Sequence, residues 1–305
     1  MKKVLAVLCI AIVLAAFPLL TAFAEYTLAD MSDEELLQLR NAVIDEIISR
    51  EHPVTDVNIP AEGTTLRDLF PCVDLAKAVR DQLGLTSIDQ PIPEGKLSKS
   101  ININYSIYPD AKTVNIDSME GIQYLEGLGS FQMDYIMYPH YDQVTTLPDG
   151  FYDLKKVWQV SLGSSGITEI DPRLFNMTSI TRLYLDHMNI TSIPENIGNL
   201  YQVKVISLAG SKIESLPESI RNLTALEELN LSGTMITEFP AFICDLPNLI
   251  KLDISGTAIS SLPEEIGNMT SLKKLNISNT RITQLPPSIF QLNLTEFKAD
   301  GTTIE

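Results

Sequence analysis

Hydrophobic positions in the second half of the chain recur with a fixed period. Aligned on their apolar residues, units begin at Val157, Ile180, Val203, Leu226, Leu249, Leu272 and Leu294, five spacings of 23 residues and one of 22. One unit carries Leu226, Leu229, Leu231, Thr234, Ile236, Phe239, Pro240, Ile243 and Leu246. The next repeats it with Leu249, Leu252, Ile254, Thr257, Ile259, Leu262, Pro263, Ile266 and Met269. The opening LxxLxL alternates with period two, which predicts a short strand with its apolar side inward. The apolar residue two places after the threonine turns the chain inward again. Leu-Pro then ends any strand, because proline cannot donate to a ladder. The IxxL that follows fits one short helical or extended turn. A single unit cannot bury this face alone, but stacked units bury it on one another. The expected fold is an α/β solenoid: an arc with a parallel concave sheet, short helical or extended convex turns and a helical N-terminal cap.

The pattern LxxLxLxxNxLxxLPxxIxxLxx, in register over residues 157–305, resembles the extracellular leucine-rich repeat in its 23-residue form. One column departs from it. The family places Asn at the ninth position, where the amide braces the turn. Here the residues are Ser165, Met188, Ser211, Thr234, Thr257, Thr280 and Thr302. A hydroxyl makes part of that ladder and Met188 none of it, which leaves the turn geometry of the second unit open. The first unit also has Ile170-Asp171 where the others carry Leu-Pro or its equivalent.

Upstream the period degrades. Residues 147–154, Leu-Pro-Asp-Gly-Phe-Tyr-Asp-Leu, read as the second half of a unit, and residues 119–128 as part of another divergent one. Between them lies an irregular, tyrosine-rich stretch. Leu69, Leu75, Ala76, Val79 and Leu83 have helical spacing and end at Gly84, a helix stop. This segment is similar to the N-terminal cap helix of internalin-type bacterial repeat proteins, which implies a bacterial cell-surface setting. Ser32 to Glu35 form a capping box, followed by an amphipathic helix to Pro53. The organisation read from the chain is thus 1–24 signal peptide, 25–52 amphipathic helix, 53–100 linker and cap helix, 101–156 degenerate repeats and 157–305 regular repeats.

The N-terminal assignment rests on Lys2 and Lys3, the apolar run Val4 to Leu20, and the small-x-small site Ala22-Phe-Ala24. Cleavage after Ala24 is expected, with no integral membrane span afterwards and a secreted, extracellular or cell-surface location. The competing reading is an uncleaved anchor. The formal charge is −17 and becomes −19 once the two lysines leave. Such acidity repels phosphate backbones and anionic headgroups, which argues against nucleic acid as a partner. Of three cysteines, Cys9 leaves with the leader and Cys72 and Cys244 fall in different units, so no disulfide framework is encoded.

The residues give little chemistry. His52, His140 and His187 share no unit, and none has a Cys or His at metal-ligand spacing. Phosphate loops, nucleophile elbows and HExxH are absent, so neither an enzyme nor a cofactor is expected. Asn-x-Ser/Thr occurs at eight asparagines, and repeat phrases such as Asn-Met-Thr account for it. Tyr105, Tyr108, Tyr124, Tyr135, Tyr138 and Tyr141 read as filling a core that leucine no longer fills, with an aromatic ligand patch as the alternative.

Function therefore falls to the outward positions, third, fifth and seventh of each unit. Seven strands at ~4.8 Å make a surface of about 29 Å. Across its columns Glu228 falls beside Lys251 and Lys274 beside Glu296, whereas Arg182 has no acidic neighbour and Tyr184 lies between two serines. Trp158, Arg182, Tyr184, Asp186 and His187 are the expected partner-binding residues, since Trp, Tyr and Arg dominate binding hot spots. A protein ligand is expected on a face of mostly Ser, Asn, Lys, Asp and Glu. The alternative is a wall-associated glycan binder or structural assembly component. The edge of the last strand invites weak self-association.

Overall fold

The computed structural model describes residues 62–104, 119–132 and 144–304, with Leu39 and Ala42 as single helical positions. The rest of the N-terminal helix, the leader, His52, His140 and the tyrosines other than Tyr124 in the tyrosine-rich stretch lie outside the described residues. Residues 1–55 and 56–305 are separate units, and the repeats with their cap belong to the second.

That unit opens with α1 (Leu66–Leu69) and α2 (Val73–Leu83). Thr65 caps α1 through a reciprocal pair: Asp68 N–H donates to its hydroxyl and Thr65 N–H donates to the Asp68 carboxylate at 2.8 Å. The apolar spacing suggested one helix from Leu69. The break arises because Pro71 has no N–H to give and disfavours helix at Phe70 before it. Gly84 ends α2 in the left-handed region at φ 62°. Leu75, Ala76, Val79 and Leu83 are buried, and α2 packs on the first strand, covering the core at that end.

Nine parallel strands run in sequence order: β1 Ile101–Asn104, β2 Leu128–Gln132, β3 Gln159–Ser161, β4 Arg182–Tyr184, β5 Val205–Ser207, β6 Glu228–Asn230, β7 Lys251–Asp253, β8 Lys274–Asn276 and β9 Glu296–Lys298. The sheet is two strands wider than the regular repeats alone supply. Nine strands extend the face to about 38 Å. Leu128, Phe131 and Met133 carry the LxxLxL spacing with substituted types, which is why the sequence signal was weak. From β3 onward each strand pairs with the next at the same position of the repeat: Leu229 with Leu252, Leu252 with Leu275. From β3 onward each convex connection is a five-residue 3-10 turn, such as Glu218–Asn222 or Glu264–Asn268, whose central isoleucine is fully buried; the turns Ile122–Tyr124 and Asp149–Phe151 before it are three residues long.

In five units the ninth-position hydroxyl braces its own turn, whereas Ser165 Oγ is buried without a partner among the described residues. Ser211, Thr234, Thr257, Thr280 and Thr302 donate to the carbonyl three residues back at 2.6–2.7 Å. Each bond stays within its own unit. The turn itself rests on the residue before, which has positive φ in every unit: Ser164 (60°), His187 (56°), Gly210 (65°), Gly233 (66°), Gly256 (69°), Asn279 (56°) and Gly301 (73°). The second unit, left open by the sequence, keeps the same turn. Met188 makes no side-chain bond there but is buried in the core, and His187 N–H still donates to Ala209 C=O at 2.7 Å.

Candidate functional site

The outward side chains of β3 to β9 form the sheet's open face. Its third, fifth and seventh positions carry four cations (Arg182, Lys251, Lys274, Lys298) and five anions (Asp186, Glu228, Asp253, Glu296, Asp300). This leaves one negative charge in excess, on a chain of −17, so the face is far less repulsive to an anion than the molecule as a whole.

From β6 onward each lysine of this face is bonded to a glutamate of the same face. Lys251 pairs with Glu228 at 3.3 Å, Lys274 with Glu296 at 3.3 Å, and Lys298 with Glu296 at 2.8 Å. The hydrogen bonds of these lysines hold the Glu296 carboxyl below its ordinary pKa. Asp253 accepts from Ser255 N–H at 2.9 Å and from the Asn276 amide at 2.9 Å. Residues one period apart in one column become cross-strand neighbours, the closest relation a sheet offers. Arg182 on β4 is exposed, and among the described residues it makes no ion pair.

The structure does not gather the five expected contact residues into one patch. Arg182 and Tyr184 share the outward face of β4. Although Tyr184 lies between two serines in its column, its side chain is partly buried and engaged with neighbours. Asp186 is committed internally, accepting from the Ser207 hydroxyl and from Ala209 N–H at 2.9 Å, so it braces β4 against β5. His187 is exposed at the C-terminal end of the strands. Its imidazole lies over Gly210, where an added Cβ would stand 2.4 Å from Nδ1. Trp158 is 39% exposed at the opposite end of the strands. It leans away from β4: a Cβ on Gly129 of β2 would meet its Nε1 at 2.9 Å and the Asn102 amide oxygen at 3.3 Å. Gly129 therefore makes the room the indole occupies. This relation joins three units and has no signal in the period of the sequence.

A second constellation also escaped the sequence. Asp171 stands where Pro194, Pro217, Pro240, Pro263 and Pro286 stand in later units, and caps the following turn by accepting from Arg173 N–H at 2.9 Å. The Arg173 guanidinium bonds Asp171 at 2.7 Å and Asp149 at 2.8 Å and lies 4.4 Å above the Tyr152 ring. Burial, then the Asp171 charge, push the Tyr152 hydroxyl up to about 12. These residues line a cleft of about 820 Å³ between the degenerate and regular repeats. With two carboxylates and a ring on one guanidinium, the cluster works as a clamp across that junction. Asp171, one period after Pro148 and in a column otherwise filled by proline, was the available hint.

Among the described residues no group of His, Cys, Asp or Glu is placed to hold a metal. No helix there is long and apolar enough to cross a membrane. Cys72 and Cys244 are buried and unbridged.

Comparison with known proteins agrees with this geometry. Two family models match, one described as leucine-rich repeat over residues 178–236 and one as leucine-rich repeats in two copies over 247–290. No curated protein matches the chain. Among solved structures it is similar to an internalin of Listeria monocytogenes at 18% identity and TM-score 0.65, over 80% of this chain and all of that one. A second Listeria internalin is 19% identical with TM-score 0.50, covering 82% and 81%. A repeat protein of Leptospira interrogans is 22% identical with TM-score 0.56; the likeness covers 75% of this chain and 58% of that protein's length.

Proposed function

We propose that this chain, a leucine-rich-repeat protein structurally similar to the Listeria internalins, is an exported, non-catalytic recognition module. It binds a protein partner through the open face of its sheet, with Arg182 and Tyr184 as the anchoring pair. The observation that carries this reading is the distribution of bonded charge. The lysines from β7 onward are already held by a carboxylate of the same face, whereas Arg182 presents its guanidinium to solvent beside a tyrosine. Arg and Tyr are residue types that concentrate binding energy at the centre of interfaces. A lysine already paired at the surface has little further to give. Polar side chains on most of the remaining face suit the rim of a protein interface.

The test begins with a partner captured by cross-linking to the exported chain and then purified. Against it, Arg182→Ala and Tyr184→Ala each weaken binding by about 1–3 kcal/mol in calorimetry, while Lys274→Ala changes it little. Equal affinities for all three variants refute the placement. Export through a cleaved leader is part of the same proposal, supported by Lys2, Lys3, the apolar run and Ala22-Phe-Ala24. N-terminal sequencing of exported material then begins at Glu25. Recovery of the intact apolar segment in a membrane fraction contradicts it.

A further inference from the structure

Three cations and the chain's single tryptophan meet where the backbone enters β3 and β4. Lys155, Lys156 and Trp158 are exposed, while Val157 between the last two is fully buried. Lys156 and Trp158 therefore leave the chain on the side away from the core. Hydrogen bonds fix this segment against the next strand. Trp158 C=O accepts from Thr181 N–H at 2.8 Å and from Arg182 N–H at 3.0 Å, and Val157 C=O accepts from the Ser179 hydroxyl at 2.7 Å. The backbone of the exposed Arg182 is thus bonded to that of Trp158, and Lys156 stands two residues before Trp158.

Every uncommitted polar group of this patch is a donor. Among the described residues, the ammonium groups of Lys155 and Lys156, the Arg182 guanidinium and the Trp158 indole N–H have no acceptor. None of these side chains can itself accept, so a ligand that satisfies them brings acceptors. Carboxylates that could serve from within the chain are engaged elsewhere or absent. The third-position column runs Asn102, Ser130, Gln159, Arg182 and Val205 before its first carboxylate, Glu228. Asp186 is held by Ser207 and Ala209, Glu227 is paired with Lys204, and Glu126 accepts from the Ser98 hydroxyl. Asp153, two residues before Lys155, makes no ion pair with either lysine. The whole chain carries −17, but at physiological ionic strength fields fade over ~8 Å. A segment lying on the patch therefore feels these cations more than the net charge.

We propose that the partner engages this patch with an acidic stretch of polypeptide. Its Asp or Glu carboxylates lie on Lys155, Lys156 and Arg182, and an apolar side chain lies against the exposed part of Trp158. This rests on the recognition through Arg182 and Tyr184 argued above and extends it to the entrance of β3. Arg182 takes one carboxylate in a two-pronged pair, the geometry a guanidinium favours, and the lysines act as point charges. Sugar rings are held on open aromatic faces. Here Trp158 leans into the space over Gly129 and Tyr184 is engaged with neighbours, so a peptide fits the patch better than an anionic glycan.

Trp158, the only tryptophan of the chain, reports on its own surroundings by fluorescence. At low ionic strength iodide quenches it more than caesium does, the reverse of what the net charge of −17 gives. Lys155→Glu combined with Lys156→Glu inverts that order, with circular dichroism confirming the fold. A labelled polyglutamate peptide binds the wild-type chain in fluorescence anisotropy. The double variant binds it about tenfold more weakly, because two exposed pairs are lost and two repulsions gained. Caesium quenching the wild-type chain more than iodide overturns the proposal. So does polyglutamate that fails to bind, or that binds the double variant as well as wild type. Polygalacturonate binding more tightly than polyglutamate assigns the patch to anionic glycans and overturns it too. The captured partner separates this inference from the reading it rests on. Affinity that falls with Tyr184→Ala and not with the double variant overturns the acidic segment alone. Affinity that falls with the double variant and not with Tyr184→Ala supports the acidic segment and removes Tyr184 as an anchor.

Discussion

Replacing Leu252 by alanine tests the stacked core at its most enclosed point. Leu252 is fully buried and lies in register between Leu229 and Leu275, each at 1% exposure. Truncation removes about three methylene equivalents, worth ~2.5 kcal/mol in lost transfer free energy. The flanking leucines are fixed by their own ladders, so the site collapses poorly and the cavity adds ~1–2 kcal/mol, giving about 3–5 kcal/mol in total. Phe297→Ala in the same column supplies the contrast. Phe297 is 42% exposed, so little cavity forms and the loss is about 1 kcal/mol. Urea denaturation followed by circular dichroism, at concentrations where the chain is monomeric, gives both values. A cost below ~1 kcal/mol for Leu252→Ala, or equal costs at the two positions, refutes burial between neighbouring units as the source of stability.

Gly210→Ala is expected to destabilise more than Gly233→Ala, although both have φ near 65°. At Gly210 the new Cβ meets the His187 ring, while at Gly233 the nearest atom is 3.6 Å away. Left-handed strain alone is ~1–2 kcal/mol, and His187→Gly should recover the difference in thermal melts. Thr257→Val keeps the volume but removes the shorter of two hydrogen bonds to the Ile254 carbonyl, the hydroxyl's at 2.7 Å, leaving that of Thr257 N–H at 3.4 Å, a loss of about 1 kcal/mol in the same denaturation assay. Burial pushes the Cys244 thiol up to about 12. Because its folded pKa is raised, its contribution to stability is complete below the ordinary thiol value of 9.0 and is lost as pH rises toward 12. Cys244 should therefore resist alkylation at pH 8 until the chain unfolds, and rapid labelling of the folded chain contradicts the burial.

The sequence by itself determined the repeat: where strands lie, which residues face inward, and which charges meet. Glu228–Lys251 and Lys274–Glu296 were legible because residues one period apart in one column of a parallel ladder can only become neighbours. Positive φ at His187 was less directly legible, since the unit's geometry imposes it on a residue that does not favour it. Tertiary structure alone decided the rest. Leu128 to Gln132 completes a strand despite its weak pattern, because docking between β1 and β3 supplies the pairing that local preference does not. Trp158 leans toward β2 because Gly129 leaves space there, Asp186 is held by Ser207 and Ala209, and Arg173 closes on two carboxylates from different units. In each case the period fixes which face of the chain a side chain leaves from. Its direction and partners depend on the volume and hydrogen-bonding groups of adjacent units, which no single repeat contains.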